Sequence, residues 1–569
     1  MCGIFAVFSS SRKPFAGKKC KGRFKKCLRE IAYDQSSKQR HRGPEHTGIE
    51  VLESDGVAMV HERLAIVGVY TGDQPFRSDK GHILMVANGE IYNYLELSEK
   101  IREKRPSYKP KSDCSVLIEL YEDHGVELFS YITGMYAFAL YDEESKNILL
   151  ARDPYGIIPM YFGRDREQNI WVASEMKCLV DVCTEIEVFE PGTMMFGPVK
   201  ELKKKRFFNP DWFDKPLRTH TNLTLLRETF EKAVHSHLEC EVKFGCLLSG
   251  GVDSSLVASI ATKIVRQTDP DFKLETFSIG LEGAPDFEYS NKVAKFIGSH
   301  HTEIHFTVDQ GLDCIRDIIY KLETYDITTV RCSIPMYMMT RFMKSKGIKM
   351  VLSGEGADEI FGGYLYFHKA PNPEDFHHEL VKRVRQLHLS DCLRANKSSM
   401  AWGIELRVPF LDKEFVDLVM SINPAEKIPG PLNQFQINGK RSHGPRIEKY
   451  ILRKAFDGGS YLPDDVLWRQ KEQFSDGVGY SWIDTISEYA ASHVTDEDFA
   501  AAAEIYPINT PTTKEAFYYR AIFEEMFPGD HCARTVQKWV PRTDWGCSDD
   551  PSGRKQATHT AHKKCKTDV

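Results

Sequence analysis

The second residue of the chain is a cysteine, in the opening sequence Met1-Cys2-Gly3-Ile4-Phe5. Cysteine is small enough for removal of the initiator methionine to be expected, which would leave a thiol and a free α-amine on one residue. Because a thiol titrates near ~8.5 and an α-amine near ~8, the amine can accept the thiol proton at neutral pH. The pattern predicts a self-contained nucleophile, although Cys2 alone could equally be an accident of position.

A serine- and glycine-rich motif, Ser249–Ser255 (SGGVDSS), is the most specific signal in the sequence. It follows the apolar strand pattern Phe244–Leu248 and opens the helical pattern Ser254–Val265, and backbone N–H groups at such a turn bind anions. The motif lacks the Gly-Lys-Ser/Thr ending of a Walker loop. It resembles the pyrophosphate loop of enzymes that cleave ATP between the α- and β-phosphates. A glycine-rich turn without a ligand is the alternative.

A second, acidic motif is Ser353–Glu359 (SGEGADE), which follows the apolar pattern Lys349–Leu352. Open α/β sheets bind ligands at the carboxyl ends of their strands, so these acids should lie at that edge. Acidic loops are commonly no more than solvated surface. Together with the first motif, however, this one favours a Mg²⁺–ATP site.

The first half contains three motifs at predicted loop positions: Arg40–Glu45 (RHRGPE), Arg63–Val67 (RLAIV) and Asn88–Asn93 (NGEIYN). Asn88 and the backbone N–H of Gly89 could form an oxyanion hole for an adduct on Cys2. An Asn-Gly pair is more often only a hairpin turn, so this signal is weak by itself.

Charged residues of the same region match the two ends of free glutamine. Arg63 suits a substrate carboxylate, and Glu90 or Asp113 suits a substrate ammonium group. Should the thiol be activated by a group other than the α-amine, His41 is the nearest candidate among the loop motifs.

The pattern of elements predicts two α/β domains. Up to about Lys205, short strands alternate with turns, and a charged stretch, Lys203–Arg206, marks the boundary. Beyond it, strands alternate with longer helices, which indicates a doubly wound parallel sheet. The predicted elements are strands Ile4–Phe8, Val57–Val60, Ile83–Asn88, Ala137–Tyr141, Ile148–Ala151, Trp171–Ala173, Phe244–Leu248, Leu274–Ile279 and Lys349–Leu352, and helices Asp113–His124 and Ser254–Val265.

Composition excludes several classes of protein. The 569 residues exceed one ordinary core, and 41% hydrophobic with 27% charged residues describe a globular chain. A net charge of −6 gives no reason to expect nucleic acid as a partner, and no apolar run suits a membrane span or a secretory signal. The 14 cysteines show no CxxC pair or zinc pattern, so we expect reduced thiols in the cytoplasm.

Taken together, the motifs resemble the glutamine-hydrolysing asparagine synthetases over nearly the whole chain, to about Gly553. The resemblance implies an N-terminal-nucleophile glutaminase domain with an αββα sandwich at residues 2–205, an ATP-pyrophosphatase domain at 206–555, and a disordered tail at 556–569. The blocks that carry it are Cys2–Phe5, Arg40–Pro44, Asn88–Asn93, Ser249–Ser255, Glu323–Arg331, Ser353–Tyr364, Leu393–Lys397, Arg407–Asp412 and Trp468–Phe474.

The resemblance also implies the role of each site residue. Cys2 is the nucleophile, and Asn88 and Gly89 stabilise the oxyanion. Glu355 positions the reacting groups or removes a proton at the β-aspartyl-adenylate step. Arg331 and Lys471 neutralise charge on the phosphates. Asp253 and Asp358 contact Mg²⁺. Glutamine is bound by Arg63, Leu64, Ala65, Ile66, Val67, Asn88, Gly89, Glu90 and Asp113. ATP is bound by Leu248, Ser249, Gly250, Gly251, Asp253, Ser254, Ile279, Ser353 and Gly354.

The implied reaction makes asparagine from glutamine, aspartate and ATP, with ammonia passing internally to a β-aspartyl adenylate. A relative that uses another carboxylate, and a non-catalytic regulatory relative, are the alternatives. The partners are small molecules, without nucleic acid or membrane, and a homodimer is an option that the sequence leaves open. Two departures stand out: Glu45 where the family usually has Asp, and a basic stretch, Lys18–Arg29, in a long insertion.

Overall fold

The computed structural model describes residues 1–11, 27–430, 435–437, 440–442, 446–479 and 481–548. The predicted tail at 556–569 and most of the basic stretch, residues 18–26, lie outside the described residues. Among the helices that are described, none has the length and apolarity needed to cross a membrane.

The first part of the chain forms two antiparallel sheets of six strands each. Their orders are β10-β8-β9-β1-β3-β2 and β12-β11-β7-β6-β5-β4. The strands are β1 (Gly3–Phe8), β2 (His46–Leu52), β3 (Val57–Arg63), β4 (Phe76–Arg77), β5 (Ile83–Ile91), β6 (Gly134–Asp142), β7 (Asn147–Arg152), β8 (Tyr161–Arg164), β9 (Ile170–Ala173), β10 (Glu185–Val188), β11 (Thr193–Gly197) and β12 (Lys203–Arg206).

Helices cover the outer faces of both sheets. Helix α1 (Leu28–Ser37) buries Leu28 and Ala32 against the first sheet, in the same core cluster as β1 and β3. Helices α2 (Tyr94–Lys104) and α3 (Val116–His124) share a second cluster with the outer side chains of β5. The layers therefore follow the predicted αββα order.

Strand β1 lies at the centre of the first sheet, between β3 and β9. All six of its residues are buried, because the inner face packs on the second sheet and the outer face lies under α1. Central burial of an apolar strand fixes the start of the chain in the fold. Cys2 precedes this strand directly.

Two segments differ from the sequence-based expectation. Strand β5 continues through Ile91 in pairing with β6, whereas we expected the strand to end at Asn88 and a loop to follow. The charged stretch Lys203–Arg206, for which we predicted a domain boundary and no strand, forms edge strand β12, paired with β11. Lysines on an edge strand discourage pairing with another chain, so a charged sequence is compatible with a strand at this position.

The second part is built around a parallel sheet of five strands in the order β15-β14-β13-β16-β17. The strands are β13 (Phe244–Leu247), β14 (Glu275–Gly280), β15 (His300–His305), β16 (Met350–Leu352) and β17 (Glu405–Arg407). The sequence predicts β13, β14 and β16 but not β15 and β17, since HHTEIH and ELR carry little apolar signal. Adjacent strands β13 and β16 place the two predicted loops side by side at the carboxyl edge.

Helices and one short hairpin of strands β18 (Phe435–Ile437) and β19 (Lys440–Ser442) complete this part. The helices are α4 (Leu223–Ser236), α5 (Val252–Val265), α6 (Pro285–Ile297), α7 (Val308–Asp313), α8 (Ile315–Leu322), α9 (Ile327–Ser345), α10 (Ala357–Phe361), α11 (Pro373–Gln386), α12 (Asp391–Met400), α13 (Lys413–Ser421), α14 (Pro424–Lys427), α15 (Tyr450–Ala455), α16 (Asp464–Leu467), α17 (Phe474–Gly477), α18 (Ser481–Ser492), α19 (Asp496–Ala500), α20 (Ala502–Ile505), α21 (Lys514–Met526) and α22 (Asp530–Ala533).

Two candidate active sites

The Cys2 thiol lies at the end of the first sheet, 9% exposed, beside the residue that follows β3. The Leu64 N–H donates to Cys2 Sγ at 3.4 Å, and Sγ is 3.6 Å from the Leu64 carbonyl oxygen. Burial raises the pKa of this thiol, and the neighbouring terminal amine opposes that effect. The thiol therefore needs a base in order to react at neutral pH.

The structure includes Met1, whose α-amine forms a buried ion pair with Glu405 of the parallel-sheet domain. Burial disfavours the charged amine, but the Glu405 carboxylate raises its pKa above the usual value. The backbone N–H of Cys2 donates to Asn88 Oδ1 at 2.6 Å. On removal of Met1 this nitrogen becomes the α-amine, already adjacent to its own thiol.

Asn88 and Gly89 extend the Cys2 site from strand β5. The Asn88 Nδ2 group lies 3.3 Å from Ser174 Oγ, which also accepts from the Ile4 N–H. Gly89 has φ +150°, and a Cβ there would collide with the Met135 carbonyl oxygen. Only glycine fits at this position, because the backbone of β6 approaches it closely.

The Arg63 side chain is 7% exposed and held by the loop that follows it, residues 64–73. Its Nη2 donates to the Gly68 carbonyl oxygen at 2.6 Å, and its Nη1 donates to the Val69 carbonyl oxygen at 3.1 Å. Nη1 also lies 2.7 Å from Asp73 Oδ1. Arg63 is close enough to Cys2 to favour its thiolate.

Two buried carboxyls complete the group expected to bind glutamine. Glu90 Oε1 lies 3.1 Å from Arg407 Nη2, and Asp113 Oδ2 accepts from the Ile91 N–H at 2.8 Å. Burial raises the pKa of Glu90, with Asp113 adding to the effect and Arg407 opposing it. An arriving ammonium group would be favoured by these acids, because it would compensate their repulsion.

His41 does not contact the thiol. Its Nε2 is 3.2 Å from Glu175 Oε1, and burial lowers its pKa. The neighbouring Arg42 instead reaches Cys2, donating to its carbonyl oxygen at 2.8 Å and to Asn396 Oδ1 of the second domain at 2.8 Å. Arg42 therefore joins the nucleophile residue to helix α12.

The second site is a cavity of about 140 Å³ at the carboxyl edge of the parallel sheet. Gly250 has φ +74°, and a Cβ there would lie 2.5 Å from Ser290 N. A Cβ at Gly354 would lie 2.6 Å from Ser254 N, so the two loops are packed backbone to backbone. Helix α5 begins after Gly251 without a side-chain cap, which leaves its first N–H groups available to an anion.

Most of the residues expected to bind ATP line this cavity. Gly250 is the expected residue that is absent from the described lining, and it packs instead against the backbone of Ser290. The expected residues in the lining are Leu248, Ser249, Gly251, Asp253, Ser254, Ile279, Ser353, Gly354, Glu355, Asp358 and Lys471.

A lysine that the sequence did not single out, Lys449, lies between the two expected magnesium ligands. Its Nζ is 2.5 Å from Asp253 Oδ2 and 2.6 Å from Asp358 Oδ1, and Lys471 Nζ is 2.7 Å from Asp358 Oδ2. Burial opposes ionisation of Asp358, but the two lysines hold its pKa far below the usual value. Lys449 adopts a left-handed backbone conformation with φ +58°, which no sequence signal indicated.

The carboxylates of Asp253 and Asp358 are suitable ligands for a magnesium ion that binds together with nucleotide. Asp253 Oδ1 is buried and accepts no hydrogen bond from any residue that the structure describes. Magnesium is commonly held by one or two carboxylates together with substrate phosphates. Within the described residues no cluster of three or more His, Cys, Asp or Glu side chains could hold a metal without such a contribution.

Glu355 lies in the same cavity, paired with Arg394 of α12. Arg394 Nη2 is 2.8 Å from Glu355 Oε2, and Nη1 is 2.9 Å from Asp391 Oδ1. Burial raises the pKa of Glu355 despite the guanidinium. Arg394 stood within the block Leu393–Lys397 that carried the resemblance, but no role was assigned to it from sequence.

Arg331 is placed differently from the expectation. Its guanidinium binds Glu515 of α21 through Nε at 2.8 Å and Nη2 at 2.5 Å, and it is absent from the described lining of the cavity. The neighbouring residues Thr328 and Cys332 line the cavity in its place. In this arrangement Lys449, and not Arg331, is the second cation beside the carboxylates.

Comparison with known proteins identifies both parts of the chain. A family model for the glutamine amidotransferase domain matches residues 1–201, and the asparagine synthase model matches 225–375 and 368–546. A probable glutamine-hydrolysing asparagine synthetase of Schizosaccharomyces pombe is 47% identical over 99% of this chain and 100% of its own length. Saccharomyces cerevisiae asparagine synthetase 1 and Escherichia coli asparagine synthetase B are 46% and 45% identical, each over 99% of this chain and 100% of their own length.

Fold and sites together define an ATP-dependent synthetase with its own glutamine amidotransferase domain. Strand β1 follows Cys2 in one domain, and the parallel sheet carries the loops Ser249–Ser255 and Ser353–Glu359 in the other. The chain belongs to the glutamine-hydrolysing asparagine synthetases.

Proposed function

We propose that Cys2 hydrolyses glutamine and that the ammonia released amidates a β-aspartyl adenylate formed in the second cavity. The observation that carries this proposal is the convergence of the two loops on one cavity, where Asp253 and Asp358 face Lys449 and Lys471. Carboxylates and cations in this arrangement suit a magnesium–triphosphate group.

In the first site, the α-amine of processed Cys2 takes the thiol proton and the thiolate attacks the carboxamide carbon of glutamine. Asn88 Nδ2 and the Gly89 N–H would stabilise the oxyanion. Arg63 would hold the α-carboxylate, and Glu90 with Asp113 would hold the α-ammonium. Ammonia leaves, and water then hydrolyses the thioester to release glutamate.

In the second site, the N-terminus of α5 and the loop Ser249–Ser255 would hold the phosphates of ATP. Lys449 and Lys471 would neutralise charge on the leaving pyrophosphate as the aspartate carboxylate attacks the α-phosphorus. Magnesium, held by Asp253 and Asp358, supplies charge neutralisation when bound.

The adenylate then reacts with ammonia at the position of Glu355 and Arg394. Ammonia displaces AMP from the β-carboxyl group, and Glu355 is placed to receive a proton from the attacking nitrogen. Burial raises the pKa of Glu355, which makes this carboxylate a better proton acceptor.

The position of helix α12, which contacts both sites, is the observation that favours internal transfer of ammonia. Its first turns carry Asp391 and Arg394 into the cavity, whereas Asn396 lies at the domain interface, bound to the Arg42 that also holds Cys2. Direct transfer matters because ammonia released into neutral water would be protonated.

Product analysis tests the proposal. The purified chain is incubated with glutamine, aspartate and Mg-ATP, and we expect asparagine, glutamate, AMP and pyrophosphate. Formation of ADP and phosphate instead would contradict adenylate chemistry. Activity with another carboxylate, and none with aspartate, would favour the alternative substrate class.

A homodimer in the cytoplasm completes the proposal. Light scattering coupled to size-exclusion chromatography would give a mass of twice the 65.1 kDa chain. A mass equal to a single chain across the working concentration range would contradict the dimer.

A further inference from the structure

The loop after β3, residues 64–73, is held by a residue of the other domain. Glu241 accepts hydrogen bonds from the N–H groups of Gly68 at 2.8 Å and Val69 at 3.1 Å, one on each carboxylate oxygen. The N–H of Glu241 donates to the Ile66 carbonyl oxygen at 3.0 Å. Three hydrogen bonds thus join one residue of the parallel-sheet domain to the loop.

These contacts continue directly to Arg63. Gly68 and Val69, whose N–H groups bind Glu241, present their carbonyl oxygens to the Arg63 guanidinium at 2.6 and 3.1 Å. The bonds from these N–H groups to the Glu241 carboxylate and from the Arg63 guanidinium to these carbonyl oxygens are all charge-assisted hydrogen bonds. The orientation of Arg63 therefore depends on where Glu241 holds the loop.

Glu241 is itself anchored by a buried arginine. Arg407 Nη1 donates to the carbonyl oxygens of His237 at 3.0 Å and Glu239 at 2.7 Å, just before Glu241 in the chain. Arg407 Nη2 lies 3.1 Å from Glu90 Oε1. The backbone carbonyl oxygen of Arg407 accepts a hydrogen bond from the Ser353 N–H at 3.0 Å. Arg407 thus connects the segment that carries Glu241 to Glu90 in the first site and to Ser353 in the second.

We propose that Glu241 is a positioning residue for glutamine, so that the parallel-sheet domain completes the glutamine site. Glu241 holds loop 64–73 in the conformation in which Arg63 receives the substrate carboxylate. The inference rests on the proposed hydrolysis of glutamine. It predicts that a side chain outside the amidotransferase domain sets the affinity for glutamine and leaves the chemistry at Cys2 unchanged.

Substitution Glu241→Ala in the full-length chain tests this role. Loss of two hydrogen bonds to an exposed carboxylate should raise the KM for glutamine about five- to tenfold. The kcat at saturating glutamine should stay within about twofold of the unmodified chain, since the thiol and its oxyanion donors are not touched. Asparagine synthesis from added ammonium should be unaffected. Glu241→Gln, which keeps one acceptor oxygen, should give an intermediate KM.

Glu239→Ala is the matched control, because it removes an equally charged exposed side chain two residues away and keeps the carbonyl oxygen that binds Arg407. An unchanged KM in Glu241→Ala would overturn the inference. So would equal losses in the glutamine- and ammonium-dependent reactions, which would indicate a general folding defect. If the unmodified chain releases no glutamate from glutamine, the proposed function itself fails, which is a separate outcome.

Discussion

At the scale of single residues, Cys2 combines burial with contacts from three segments: the loop after β3 through Leu64, β5 through Asn88, and the Arg42 side chain. Burial disfavours the thiolate, so the proposed reaction requires a base, for which we propose the adjacent amine. Among the described residues, Cys2 is not part of the lining of the cavity at the parallel sheet. Its chemistry should therefore be separable from adenylation.

Replacing Cys2 by Ala should abolish glutamine-dependent synthesis, by roughly a thousandfold or more, because no other group can form the thioester. Synthesis from added ammonium should continue at the normal rate. Asparagine formation is measured with each nitrogen donor in turn. A folded variant that loses both reactions would contradict two separable sites.

Residues with a distinctive motif were predictable, and isolated ones were not. Cys2, Asn88, Asp253 and Asp358 stand in patterns whose chemistry can be recognised along the chain. Lys449 stands in no such pattern and reaches the carboxylates only because helix α15 begins there in a left-handed conformation. Its role depends on the tertiary fold, which single-sequence patterns do not contain.

At the scale of elements, the cavity depends on how closely the loops after β13 and β16 approach each other. Their strands pair in parallel, Cys246 opposite Leu352, so the two turns leave the sheet together. Apolar runs predicted these strands, whereas β15 and β17 were missed because their residues are polar or few. Pairing between strands, and not local sequence, creates those two elements.

Gly354→Ala should block this approach, since the added Cβ would lie 2.6 Å from Ser254 N and 2.8 Å from Asp253 Cβ. We expect a loss of stability of about 1–3 kcal/mol and a strong loss of AMP formation. Glutamine hydrolysis should persist. Gly347→Ala is the control for general destabilisation, because its φ of +74° strains the added side chain while no atom lies within 4 Å of the Cβ. Unimpaired AMP formation in Gly354→Ala would show that the loops separate easily.

At the scale of the whole molecule, buried ion pairs join the two domains. Glu323 accepts from the N–H groups of Met176 and Lys177 at 2.7 Å each, and its carboxylate pairs with the ammonium groups of Lys177 and Lys397. Lys397 Nζ also lies 2.9 Å from Tyr161 OH. The block Glu323–Arg331 was recognised in the sequence, but this contact across domains could not be, because the partners lie about 150 residues apart.

Substitution Glu323→Ala would leave the buried Lys397 without its carboxylate and Lys177 with Glu175 alone, at a cost of about 3–5 kcal/mol. Loosening of the interface should let ammonia escape, so that more than one glutamate is released for each asparagine formed. Both products are quantified in one reaction, and the unmodified chain should give a ratio near one. A variant that is destabilised but keeps that ratio would show that these pairs serve stability alone.

The position of Lys449 also has a consequence for the protein at rest. A side-chain ammonium between Asp253 and Asp358 is a resident counter-ion, which lets two buried anions coexist before any substrate arrives. Lys449→Met would vacate that place, and a free divalent cation should then substitute for it. We expect MgCl2 to raise the melting temperature of this variant more than that of the unmodified chain, with sodium chloride at equal ionic strength as the control. Equal responses of the two proteins would mean that the carboxylates do not depend on this lysine for their neutralisation.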